Sequence, residues 1–146
     1  MKKVDIRLAV NGVEHAVSVE PRRTLADALR EDCSLTGTHL GCEHGVCGAC
    51  TVLIDDKPVR SCLMLAVQAE GAAIRTVEGV ADVEQLNDLL AAFWEHHALQ
   101  CGFCTPGFLM LATSILETQP SVSAVSYTHL RAHETEADLV CRLLLE

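Results

Sequence analysis

Apolar residues first recur at every second position: Val4, Ile6, Leu8 and Val10 alternate with polar or small neighbours. That is the period of a strand with one face buried. Asn11-Gly12 interrupts it, a pair suited to a two-residue hairpin turn, and Val13, Val17 and Val19 resume the alternation in a second strand. Thr24 can cap a helix with Asp27 as its capping-box partner, Leu25, Ala28 and Leu29 forming the apolar stripe. A cysteine-rich loop over about 37–50 leads into a strand at 51–54, an Asp55-Asp56 turn, and a return strand at about 59–62. A last strand is expected at 73–77, before Gly79. These elements make a small α+β sheet domain crossed by one helix.

After Gly79 the period lengthens. Val83, Leu86, Leu89, Leu90, Phe93 and Trp94 fit one face of a helix over about 82–97. Thr105-Pro106 opens another, with Thr as N-cap and Pro in the first helical position. Residues 107–116 are apolar nearly all round, which predicts burial, and Gln119-Pro120 ends the helix. The domains are therefore read as a sheet domain over 1–79, a helical domain over 80–124, and a tail over 125–146.

Composition narrows the partners. Twenty acidic against eleven basic residues leave a formal charge of −9. Nucleic acid and anionic membrane are disfavoured, because binding to phosphates rests on Lys and Arg. The first ten residues place Asp5 and Arg7 inside their only apolar stretch, unlike a secretory signal, and no apolar run reaches the ~20 residues of a membrane span. The cytoplasm is the expected compartment. Eight cysteines there point to metal or redox chemistry rather than disulfides.

Their spacing is specific. Cys42, Cys47 and Cys50 read C-x4-C-x2-C, with Cys62 twelve positions on, the plant-type [2Fe–2S] pattern. Four thiolates must converge on two irons, so three come from one tight loop and a fourth from a neighbouring strand. Gly41, Gly45 and Gly48 let the backbone pass close and turn N–H groups toward the sulfurs. The competing reading is a zinc ribbon built from Cys47/Cys50 and Cys101/Cys104, which leaves Cys42 and Cys62 unexplained. Cys33 stands outside the spacing and is read as a buried, inert thiol. His44 is read as solvated, and His96 and His97 as helix-end residues suited to the dipole. No phosphate loop, HExxH or Ser/His/Asp arrangement is present, so no catalytic residue is assigned.

Residues 41–62, with Leu99-Gln100-Cys101-Gly102-Phe103-Cys104-Thr105-Pro106-Gly107, resemble the small iron–sulfur subunit of the molybdenum hydroxylases. That family includes xanthine dehydrogenase, aldehyde oxidoreductase and aerobic carbon monoxide dehydrogenase, and the resemblance covers about 3–124. It implies a β-grasp plant-type ferredoxin domain followed by a helical bundle with a second [2Fe–2S] cluster, to which Cys101 and Cys104 correspond. It further implies that Gln100 lies near the pterin of a molybdopterin-binding large subunit, and that electrons pass from there through the clusters to FAD on a medium subunit. A free-standing ferredoxin-like carrier is the alternative.

From about Val125 the resemblance stops. Where the family carries C-x-C this chain has Glu136, Ala137 and Asp138, and Cys141 offers one thiol, with His129 or His133 as other donors. The segment 126–146 resembles translated sequencing-adaptor read-through. The expectation is a truncated bundle, a complete first cluster, and a second site lacking two ligands.

Overall fold

The computed structural model describes residues 2–80 and 87–118. Five strands form one sheet: β1 (Val4–Val10), β2 (Val13–Val19), β3 (Thr51–Ile54), β4 (Lys57–Arg60) and β5 (Ala73–Arg75), in the order β2-β1-β5-β3-β4. β1 and β2 pair antiparallel from Val10↔Val13 to Val4↔Val19, so Asn11-Gly12 is the whole connection. Both turn residues adopt positive φ (51° and 77°), as the twist of a two-residue hairpin demands. Asp55 and Asp56 repeat the device between β3 and β4. β5 lies parallel to β1 and antiparallel to β3, closing the sheet's centre.

One face carries a helix that begins as α1 (Leu25–Asp27) and continues as a π turn (Ala28–Asp32). Thr24 Oγ1 accepts from the Asp27 N–H at 3.1 Å and donates to Asp27 Oδ2 at 2.7 Å. Half of a capping box is thus formed, and the neighbouring Leu25 N–H donates to the Met64 carbonyl. Leu25, Ala28 and Leu29 pack with Ile6, Leu8, Val10, Val52, Ile54 and Ile74 in the main core.

The opposite face of β3 is covered as well. All four residues of Thr51–Ile54 are buried, because Val52 and Ile54 face the first core while Leu53 meets Val80 and Met110 on the other side. Alternation fails in a strand buried on both faces. The covering element is α4 (Thr105–Thr118), with α2 (Val77–Val80) beside it. Phe108 and Leu109 of α4 join Leu89 and Phe93 of α3 (Asn87–Glu95) in a separate core. Arg75 on β5 forks onto Glu117 near the end of α4 (2.8 and 2.5 Å) and reaches Asp56 at 2.9 Å, tying helix to sheet.

Three expectations need correction. Trp94 is 80 % exposed and lies off the apolar face that Leu89 and Phe93 define, since one residue's 100° step turns it away. The helix bearing it ends at Glu95 in a Schellman motif: Ala98 N–H bonds the Phe93 carbonyl, His97 N–H bonds that of Trp94, and His97 takes φ 52°. α4 starts one residue earlier than predicted, for the Phe108 N–H bonds the Cys104 carbonyl at 3.1 Å. Cys104 is therefore the N-cap, and Thr105 and Pro106 are the first two helical residues. The expectations for 81–86 and for the tail from 119, including Cys141, His129 and His133, concern residues outside those described. Among the described residues no helix is long and apolar enough to cross a membrane.

Candidate metal centre

The loop that ends at Cys50 folds through left-handed residues. Glu43, Gly45 and Gly48 have φ of 54°, 84° and 77°. Each reversal turns successive N–H groups to one side, as in an anion-binding nest. The Cys47 N–H lies 3.3 Å from Cys42 Sγ, and the amides of His44 and Val46 also address that sulfur. Donation by the Cys47 and His44 amides lowers the Cys42 thiol to about 6. Gly45 turns its N–H toward the sulfur of Cys62. There burial and the neighbouring Cys50 prevail and raise the thiol to about 11.

Cys50 sits at the foot of β3, and Cys62 follows β4. The Thr51↔Arg60 register brings them together, and Ser61 fastens the junction by donating its N–H (3.2 Å) and its hydroxyl (2.7 Å) to the Cys50 carbonyl. The return strand was expected to run through Cys62. It ends at Arg60, and Cys62 lies in a 3-10 turn, Ser61–Leu63, because Ser61 draws the chain back over Cys50.

The four thiols form two pairs. Cys42 and Cys47 interact directly, as do Cys50 and Cys62, and Cys62 also feels the charge of Cys42 across the pairs. Among the described residues, no three Cys, His, Asp or Glu side chains converge as a single-ion site requires. Two pairs are what a two-iron centre needs, each iron taking two thiolates. The soft donor set, the pairing and the inward N–H groups therefore fit a [2Fe–2S] group.

The second cysteine loop docks against the first. Cys104 caps α4, while Cys101 and Gln100 are exposed on the approach to it. Phe103, between the two cysteines, stacks on His39 with ring centroids 4.9 Å apart at 23°. The His39 Nδ1–H donates to the Phe103 carbonyl at 2.8 Å, since that oxygen can only accept. Three residues after Cys104, a Cβ on Gly107 would stand 2.2 Å from the Gly48 carbonyl oxygen, so helix and ligand loop touch backbone to backbone. Cys33 is buried and its thiol is raised by burial, which makes it a poor nucleophile. His44 is exposed, with Nδ1 bonded to the Cys42 carbonyl.

Sequence reasoning missed His39 and Arg60. Arg60 donates to Thr51 Oγ1 at 2.6 Å and lies against Gly48. Neither residue carries a period or motif; only their closeness in sequence to Cys42 and Cys62 could have drawn notice.

Comparison with known proteins agrees with this geometry. Residues 8–77 match the family described as "2Fe-2S iron-sulfur cluster binding domain", and residues 76–142 match that described as "[2Fe-2S] binding domain". The chain is 60 % identical over 119 residues to the nicotine 6-hydroxylase small subunit of Paenarthrobacter nicotinovorans, covering 82 % of this chain and 72 % of that one. It is 49 % identical over 142 residues to subunit beta of the 6-hydroxypseudooxynicotine dehydrogenase complex of the same organism (97 % and 86 % covered). Among solved structures, quinoline 2-oxidoreductase from Pseudomonas putida 86 superposes with a TM-score of 0.85 and 49 % identity, over 96 % of this chain and 91 % of that one.

Proposed function

Since this chain belongs to the small iron–sulfur subunits of the molybdenum hydroxylases, we propose that Cys42, Cys47, Cys50 and Cys62 hold its first [2Fe–2S] cluster. The chain is an electron-transfer subunit of an oxidoreductase, with no substrate site assigned to it. The observation that carries the ligand assignment is the pairing of the four thiols beneath inward-facing backbone N–H groups. A [2Fe–2S] group stores and releases one electron at a time. The protein supplies thiolates, orients amide dipoles toward the sulfurs, and keeps Cys50 and Cys62 away from water.

Cys101 and Cys104 are proposed as two ligands of a second [2Fe–2S] cluster. Cys104, at the N-terminus of α4, would place its thiolate at the positive end of the helix dipole, which favours negative charge. Gln100 beside it is proposed to approach the pterin of a molybdopterin-binding large subunit, and an FAD-binding medium subunit is proposed to take electrons from the Cys42 side. The direct docking of the two cysteine loops supports this order, because electrons travelling between partners need the two sites close together. A free-standing carrier would have no use for the second loop. The domains are proposed to divide near residue 79, where the sheet gives way to α2 and the helices that follow.

Anaerobic reconstitution tests the assignment. The chain should take up about two irons and two sulfides at the first site and become paramagnetic on one-electron reduction. Cys47→Ala should lose that signal, while Cys101→Ser/Cys104→Ser should retain it. Uptake of zinc in place of iron, without visible absorption, would overturn the assignment.

A further inference from the structure

Beside the first cysteine loop stands a cation with no carboxylate partner among the described residues. Arg60 is half-buried, in the last position of β4 and two residues before Cys62. Its Nη1 donates to Thr51 Oγ1 at 2.6 Å, and Thr51 in turn donates to the Gly48 carbonyl at 2.6 Å. Its Nη2 lies 3.4 Å from the point a Cβ on Gly48 would occupy, and Cζ lies 3.5 Å from it. The guanidinium is thus laid against Gly48, between Cys47 and Cys50, held by a hydroxyl that also grips the Gly48 carbonyl. Among the described residues no carboxylate pairs with Arg60; Arg30 also lacks one but is bonded to the Thr36 and Thr38 carbonyls, whereas Arg7, Arg22, Arg23 and Arg75 each have a carboxylate partner.

Holding a partly desolvated cation without an anion is unfavourable unless another negative charge faces it. On the proposed reading of the site, that charge is the thiolate-ligated cluster. It is anionic when oxidised and gains one more negative charge on taking up an electron. A fixed cation nearby stabilises the reduced form more than the oxidised form, and in a partly buried setting the interaction is weakly screened. We propose that Arg60, positioned by Thr51, is the residue that raises the reduction potential of the Cys42 cluster. It acts through space and is not a ligand. Gly48, at φ 77°, lies in van der Waals reach of the guanidinium.

The inference rests on the cluster assignment but fails separately from it. The full chain is reconstituted anaerobically and titrated electrochemically, following visible absorption and the paramagnetic signal of the Cys42 cluster. Arg60→Met should shift the midpoint potential down with iron content and line shape unchanged. Arg60→Lys, which keeps the charge, should restore most of the difference. Thr51→Val, which frees the guanidinium, should shift the potential part of the way. Should Arg60→Met fail to load iron, Arg60→Gln and Thr51→Val carry the comparison. A loaded Met or Gln variant with unaltered potential, or a Lys variant shifted as far as Met, overturns the inference. Wild-type chain that takes up no iron overturns the cluster assignment instead.

Discussion

Gly107→Ala measures directly how tightly the helical segment is seated on the ligand loop. The new methyl would lie 2.2 Å from the Gly48 carbonyl oxygen and 3.0 Å from Ala49 Cα. Both are backbone atoms, so no side chain can swing aside. Reaching a tolerable carbon–oxygen distance requires α4 to retreat by about 0.8 Å or more, opening the contact of Met110 with Leu53. Overpacking of this kind costs about 1–3 kcal/mol. Helix propensity opposes it, because Ala is favoured over Gly by up to about 1 kcal/mol within a helix. The balance is a loss of up to roughly 2 kcal/mol, which lowers the midpoint of thermal unfolding by up to about 6 °C in a chain of this size. Strain passes into the Gly48-Ala49-Cys50 stretch, so the visible spectrum of the reconstituted first cluster should change as well. Thermal unfolding of wild type and variant, each with and without iron, gives both readings. The sign is decisive: without the contact, Gly107→Ala follows propensity and stabilises the protein. A raised midpoint with an unchanged spectrum would refute the backbone contact on which the reasoning rests.

Two further perturbations test other joints. Asn11 donates to Thr76 Oγ1 and accepts from the Thr76 N–H, both at 2.9 Å, and Thr76 is fully buried. Asn11→Gly keeps the turn conformation but strands that N–H, costing about 1–3 kcal/mol, and Asn11→Ala adds the strain of positive φ, about 1 kcal/mol more. Urea unfolding of both variants should show that order. Glu117 is held below the usual carboxylate range by the Arg75 guanidinium, so its contribution to stability is complete above the unfolded value of about 4.3 and is lost as pH falls through the lower folded value. The pair is partly exposed, which limits its worth to about 1 kcal/mol or less. Glu117→Gln should therefore destabilise slightly at neutral pH and match wild type in acid, and a difference that persists in acid would contradict the pairing.

Much of this protein is written locally. The hairpin follows from alternation broken by Asn11-Gly12, and the helix start from Thr24 three residues before Asp27, because turns and caps are settled by neighbouring dihedrals and short-range hydrogen bonds. The same holds for the spacing of Cys42, Cys47 and Cys50, where one loop must wrap one group. Other features depend on which surfaces meet, and no period records that. Val52, Leu53 and Ile54 are all apolar, but only the docking of α4 shows that Leu53 faces one core and Val52 and Ile54 another. Trp94 reads as a core residue by hydropathy and is exposed, since its place on the helix surface depends on where Phe93 and Leu89 find partners. The ladder and Ser61 bring Cys62 to Cys50, and His39 meets Phe103 from sixty-four positions away. Arg60 becomes legible as a charge beside the ligand loop only when Thr51 pins it over Gly48. The sequence by itself determined the local elements and the thiol spacing; the tertiary structure decided the contacts between distant segments, because those energies exist only once the surfaces are pressed together.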